Sequence, residues 1–208
     1  MKTALKKKLS ELSKKVESIS SERKQTLQPL IDYITQRQVQ NEATRLIFIC
    51  THNARRSHMA QVWAVLAAMH ADLENIECYS GGTEETRIHP NALTALRESG
   101  IDIVGEDEGE NPMFILNLGE AQMLELYSKT YDDEHNPQSG FVAVMVCSSA
   151  EKNCPFVVGA EKRISITYED PKFFDDLPDP ILGYIERSDQ IATEMIYVMR
   201  QVSQKLEL

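Results

Sequence analysis

Apolar positions in the first forty residues recur at helical spacing. Leu5, Leu9, Leu12, Val16 and Ile19 step by four and three residues and so share one face of a helix. Leu27, Leu30, Ile31 and Ile34 repeat the pattern, and Ser20-Ser21 between the groups suits a helix break with a capping hydroxyl. The pattern changes at Arg45. Arg45–Cys50 is short, continuously apolar and partly β-branched, as suits a strand buried on both faces. A helical run follows from Ser57 to about Met69, then a strand over Ile76–Ser80 closed by Gly81-Gly82. Residues 90–99 read as a helix, with Pro90 early and Gly100 just past the end. Residues 101–140 are acidic and broken by Gly and Pro, with one helical piece expected near Glu120–Tyr127. Phe141–Cys147 and Arg163–Tyr168 read as strands, and Ile181–Leu208 as a long helix.

Strands alternating with helices predict an α/β fold with a central parallel sheet between helical layers, a three-layer sandwich. Ligands of such sheets sit beyond the carboxyl ends of the strands. Cys50, Cys147 and Tyr168 each close an expected strand, so their neighbourhoods should share one edge. The domain reading is a helical extension over 1–42 and a catalytic domain over 43–208. The extension is read either as two helices packed on the domain or as a dimerisation element that would make a homodimer. Its apolar stripe is shorter than the three to four heptads of a coiled coil.

Composition narrows the classes. The chain is 42% hydrophobic and 26% charged, ordinary globular usage that excludes collagen-like or wholly disordered sequence. Four cysteines are too few for a disulfide scaffold and suit a reducing compartment, so a cytoplasmic protein is expected. No apolar run approaches a membrane span, and neither membrane nor nucleic-acid partners are expected. The net charge of −10 is uneven: residues 1–42 carry nine Lys/Arg against five Asp/Glu, the remainder thirteen against twenty-seven. An acidic body repels anions, so an anion site must be built locally from backbone N–H groups and a few arginines.

Cys50-Thr-His-Asn-Ala-Arg-Arg56-Ser57 has the form of such a site. A cysteine ends a strand, an arginine follows six positions later and a helix begins at once. A loop of this length can curl its N–H groups of Thr51, His52, Asn53, Ala54, Arg55, Arg56 and Ser57 around an oxyanion, with the helix dipole behind. Arg56 offers a bidentate fork. Cys50 at the bottom of the nest is expected as a thiolate nucleophile, with Ser57 donating to its sulfur and Asn53 shaping the loop. The bland alternative is a buried cysteine followed by a basic turn. Arg55, His58 and His89 surround the loop in sequence and read as polar rim residues, His52 is a bulky residue expected to alter loop geometry or substrate entry, and Cys78 reads as core.

These residues resemble the low-molecular-weight protein tyrosine phosphatase superfamily, and within it the thiol-coupled arsenate reductases, whose loop reads roughly C-x-G-N-x-C-R-S. The match holds at Cys50, Asn53, Arg56 and Ser57 and departs at His52 and Arg55, where the family usually has Gly and Cys. It continues through Tyr79–Glu84 and His89–Asp102, covers about 45–205, is poor over 103–140, and leaves 1–42 without a counterpart. The pair Cys147 and Cys154, followed by Pro155, resembles the redox cysteines of the arsenate reductases; by chemistry alone the pair could also be a zinc half-site or two inert thiols. The resemblance carries Asp170 of Asp170-Pro171 to the role of general acid.

The resemblance implies an arsenate reductase working through an arseno-cysteine and a thiol relay. The alternative is a phosphatase hydrolysing phosphomonoesters such as phosphotyrosine through a phosphocysteine. A remoter one is a non-catalytic phosphate-binding module. No bound cofactor or metal is expected; a reductase would need an external thiol reductant, thioredoxin-like. The relay requires the small, polar segment 148–153 to be a mobile loop.

Overall fold

The computed structural model describes residues 2–119, 122–154 and 156–207. Its centre is a four-stranded, fully parallel sheet of β1 (Thr44–Cys50), β2 (Ile76–Gly82), β6 (Phe141–Met145) and β7 (Ala160–Ser165), in the order β2-β1-β6-β7. Parallel strands need crossovers: α3 (Arg56–His70) lies between β1 and β2 and α4 (Pro90–Glu98) between β2 and β6, while the long α6 (Pro180–Leu206) follows the last strand and packs on α3. β1 is buried almost throughout, and β6 is buried throughout, matching their unbroken apolar sequence.

The N-terminal helices α1 (Thr3–Lys15) and α2 (Ser21–Val39) form as the spacing predicts. The Ser20 side chain caps α2 by accepting the Arg23 N–H at 3.1 Å. Leu5, Leu9, Leu12, Val16, Leu27, Leu30, Ile31 and Ile34 are all buried, in one continuous core with the sheet. Both helices pack on α6. The stripe on which a dimerisation element rested is therefore covered by the body of the domain.

Three elements differ from expectation. The helical piece expected near Glu120–Tyr127 is a strand over its described part: β5 (Gln122–Leu126) pairs antiparallel with β4 (Phe114–Gly119), which pairs with β3 (Ile103–Val104). Glu120 and Ala121 lie outside the described residues. Short apolar runs do not distinguish strand from helix by periodicity, and here antiparallel pairing decided. The strand expected over 163–168 runs instead over Ala160–Ser165, although Ile166 and Tyr168 still donate to the β6 side. The segment expected as a loop between the two late cysteines is a helix, α5 (Ser148–Asn153).

Candidate functional site

Strand β1 delivers Cys50 to the carboxyl edge of the sheet, and the chain turns through 51–55 into α3. The direction of the loop carbonyls fixes that turn. Cys50 O accepts the Thr83 N–H at 3.2 Å and Thr51 O the Glu84 N–H at 2.9 Å. His52 O accepts the hydroxyls of Thr86 at 2.9 Å and Ser128 at 3.0 Å. Ala54 O accepts the His89 N–H at 2.9 Å. Across a trans peptide the N–H points opposite to the carbonyl, so the N–H groups of Thr51, His52, Asn53 and Arg55 turn inward. None of them finds an acceptor among the described residues. Together with the free N–H groups of the first turn of α3 they make a concave nest of donors, an arrangement suited to an anion. Gly82 lets the supporting segment come this close: a Cβ there would stand 2.7 Å from Thr51 O and 2.8 Å from Asn53 N.

The side chains continue the same design. Asn53 adopts a left-handed φ of 46°, which asparagine tolerates better than most residues. Its amide oxygen accepts the Lys129 N–H at 2.9 Å and its amide nitrogen donates to Ser57 Oγ at 2.8 Å. Ser57 Oγ lies 3.1 Å from Cys50 Sγ. Having accepted from Asn53, the hydroxyl has its own proton free to point at the sulfur. Arg56 stands over the loop with its fork engaged: one arm donates to Asp170 Oδ2 at 2.5 Å, the other to Tyr168 O at 3.0 Å. Asp170 Oδ1 accepts the Lys172 N–H at 3.0 Å, a turn set by Pro171.

Cys147 is fully buried and lies beside the nest. It follows Met145, which pairs with Ile49 on β1. Its sulfur is 3.5 Å from Thr51 Oγ1 and caps α5 by accepting the Ala150 N–H at 3.2 Å. Cys154 ends α5, with its sulfur 3.5 Å from Phe156 O. Pro155 lies outside the described residues. Cysteine is not among the usual capping residues, which is why a polar loop was expected where the helix stands.

The flanking residues divide. Arg55 contributes its N–H to the nest, but its side chain turns away, donating to Tyr184 Oη at 2.7 Å and to Asp175 at 3.0 Å. Tyr184 in turn donates to Asp175 at 2.6 Å and stacks on His89, tying the loop to α6 and to the segment after Asp170. His89 is held below the ordinary imidazole pKa, mainly by burial and then by Arg55. The His52 ring lies at the exposed rim, 3.5 Å from Glu84. His58 is buried beneath the loop, 3.3 Å from Ser80 Oγ, and burial holds it neutral with a pKa pushed down to about 3. Cys78 is buried core, its thiol pKa pushed up by burial.

Ser128, Lys129, Tyr184 and Asp175 carry structural roles at the site that the sequence did not announce. Ser128 and Lys129 come from the acidic, weakly patterned stretch, where a hydroxyl and a backbone N–H have no recognisable spacing.

The chain matches the family model of low molecular weight phosphotyrosine protein phosphatases over residues 45–110. It is 32% identical to arsenate reductase 2 of Staphylococcus epidermidis over 128 residues, 61% of this chain and 77% of that protein. It is 30% identical to the arsenate reductase of Oceanobacillus iheyensis, over 61% of this chain and 73% of that one. Among solved structures, the arsenate reductase of Archaeoglobus fulgidus is similar at 20% identity and a TM-score of 0.43, over 72% of this chain and 98% of that one.

Proposed function

The chain belongs to the low-molecular-weight phosphatase family, in which the arsenate reductases it matches are found, and from that footing we propose that it reduces arsenate through a cysteine relay. One observation favours reduction over hydrolysis. A second thiol, Cys147, touches the anion loop at Thr51, and a third stands seven residues further on. Hydrolysis of a phosphocysteine needs only water; reduction needs a thiol within reach of the adduct.

Substrate binding begins with an exchange of partners. The oxyanion enters the nest, takes the Arg56 fork from Asp170 and so leaves that carboxyl facing the departing oxygen. The Cys50 thiolate attacks arsenic; Asp170 protonates the oxygen that leaves as water, and a Cys50–arsenic bond forms. The Cys147 thiolate then attacks the Cys50 sulfur. The sulfur–arsenic bond breaks with its electron pair on arsenic, arsenite departs, and a Cys50–Cys147 disulfide remains. Cys154 attacks Cys147, frees the Cys50 thiolate and leaves a Cys147–Cys154 disulfide. An external dithiol of thioredoxin type restores the pair. The last exchange requires α5 to unwind, because the six-residue helix between the two cysteines, seven steps along the chain, separates them by about 10 Å, beyond the ~7 Å that a disulfide spans between Cα atoms.

Residues 43–208 carry this chemistry, with 1–42 cladding the sheet. Four free cysteines fit a reducing compartment such as the cytoplasm. Among the described residues no helix is long and apolar enough to cross a membrane. The test is side-by-side turnover of arsenate with a thioredoxin system and of para-nitrophenyl phosphate. Cys147→Ser and Cys154→Ser should each stop repeated arsenate reduction and leave phosphoester cleavage nearly unchanged. Undiminished arsenate reduction in both variants would overturn the relay.

A further inference from the structure

A cavity of about 520 Å³ opens on the Asp170 side of the loop, lined among others by Arg56, Asp170, Arg23, Arg187 and Ser148. Arg56 and Asp170 belong both to the loop site and to this cavity, so a group carried on the leaving oxygen would extend into it. Three arginines converge here on a chain that is acidic overall. Two of them are committed. Arg23, from α2, donates both arms of its fork to Glu194 at 2.9 and 2.8 Å and stacks on the Tyr168 ring at 4.8 Å. Arg56 holds Asp170. Arg187, from α6, has no carboxylate partner among the described residues; it donates to the amide oxygen of Gln190, and its Nε is buried without any hydrogen-bond partner. Phe173, 78% exposed, forms an apolar lip to the same cavity.

We propose that Arg187 is the anchor of a second anion subsite, and that the loop therefore also accepts phosphomonoesters whose leaving group carries a carboxylate. This rests on the reading of residues 50–57 as an oxyanion cradle. Charge favours a carboxylate over a second phosphate. Glu169 and Asp170 stand on the same wall, and a dianion would meet about twice the repulsion there that a carboxylate does. Arg187 lines the cavity and carries a charge that no carboxylate among the described residues neutralises, which a ligand carboxylate can pair through a charge-assisted contact. The Phe173 lip suits a flat apolar spacer between the two anionic groups. Arg23 braces the wall through Tyr168, whose carbonyl holds Arg56, so the N-terminal helices would take part in shaping the cavity.

The test uses ligands that cannot turn over, so it does not depend on the reaction. Binding of 4-(phosphonomethyl)benzoate, of its methyl ester and of inorganic phosphate is measured by calorimetry on the full chain and on Arg187→Gln. The free carboxylate should bind about tenfold more tightly than the ester in the wild type, the scale of one charge-assisted contact. In Arg187→Gln the preference should fall below about twofold. Equal affinities in the wild type, with phosphate still bound, overturn the subsite and leave the cradle standing. A preference that persists in Arg187→Gln overturns the assignment to Arg187. Failure of phosphate and both phosphonates to bind overturns the cradle and the subsite together.

Discussion

Arg56 and Asp170 neutralise each other across 2.5 Å, and in the proposed mechanism the oxyanion takes the Arg56 fork from that pair. Asp170→Asn removes the competitor, so inorganic phosphate should bind several-fold more tightly while phosphoester cleavage slows. The slowing should reach about 10²-fold or more for poor leaving groups and be small for para-nitrophenyl phosphate, because only poor leaving groups need the proton. Uniform slowing across a leaving-group series would remove Asp170 from the acid role. Arg56→Lys should lose most turnover, since a point charge cannot replace the fork, and steady-state rates check this. At this scale the sequence was most informative. Cys50, Asn53, Arg56 and Ser57 have their spacing written into one octapeptide. The outward anchoring of the loop carbonyls by Thr83, Glu84, Thr86, His89 and Ser128 was not legible, because it depends on which distant segment packs against the loop.

The elements that carry these side chains differ in what they must do. α3 is buried along its length and keeps His58 uncharged beneath the nest. The unfolded chain binds that proton near pH 6.5, whereas the folded chain resists it to about pH 3. Between these values the unfolded state holds more protons, so stability should fall as pH drops from 6.5 toward 3. His58→Gln should show a shallower fall between pH 7 and 5 in urea denaturation; an unchanged slope would contradict the assignment. α5 has the opposite requirement, because it must open. The N–H groups of Glu151 and Cys154 donate to Cys147 O at 3.0 Å and Ala150 O at 2.9 Å, and these bonds should be lost on oxidation. Hydrogen exchange over 148–154 should accelerate in the oxidised protein, and unchanged protection would exclude a Cys147–Cys154 bond. The polar composition of this segment read as a loop because its cap is a cysteine. The stretch around residues 114–126 read as broken or helical because its strands are short and defined by each other.

Across the whole molecule, the helices of residues 1–42 share one core with the sheet, and α6 is the surface on which they lie. Leu30→Ala should cost about 2–5 kcal/mol and lower a single unfolding transition monitored by circular dichroism. A separate early transition, with the rest unmoved, would make 1–42 an independent unit. The helical periodicity predicted both helices, but a stripe of leucines cannot say whether it meets its own domain or a second copy. The parallel order of the sheet brings Cys50 on β1 and Cys147 after β6 to one edge, and the relay depends on that neighbourhood. Its most direct test is peptide mass spectrometry of the wild-type protein, alkylated after a single turnover with arsenate and no added reductant. The account predicts a Cys147–Cys154 disulfide with Cys50 alkylated, and a trapped Cys50–Cys147 disulfide in Cys154→Ser. Stoichiometric arsenite without either bond, or all thiols still reduced and no arsenite formed, would contradict it.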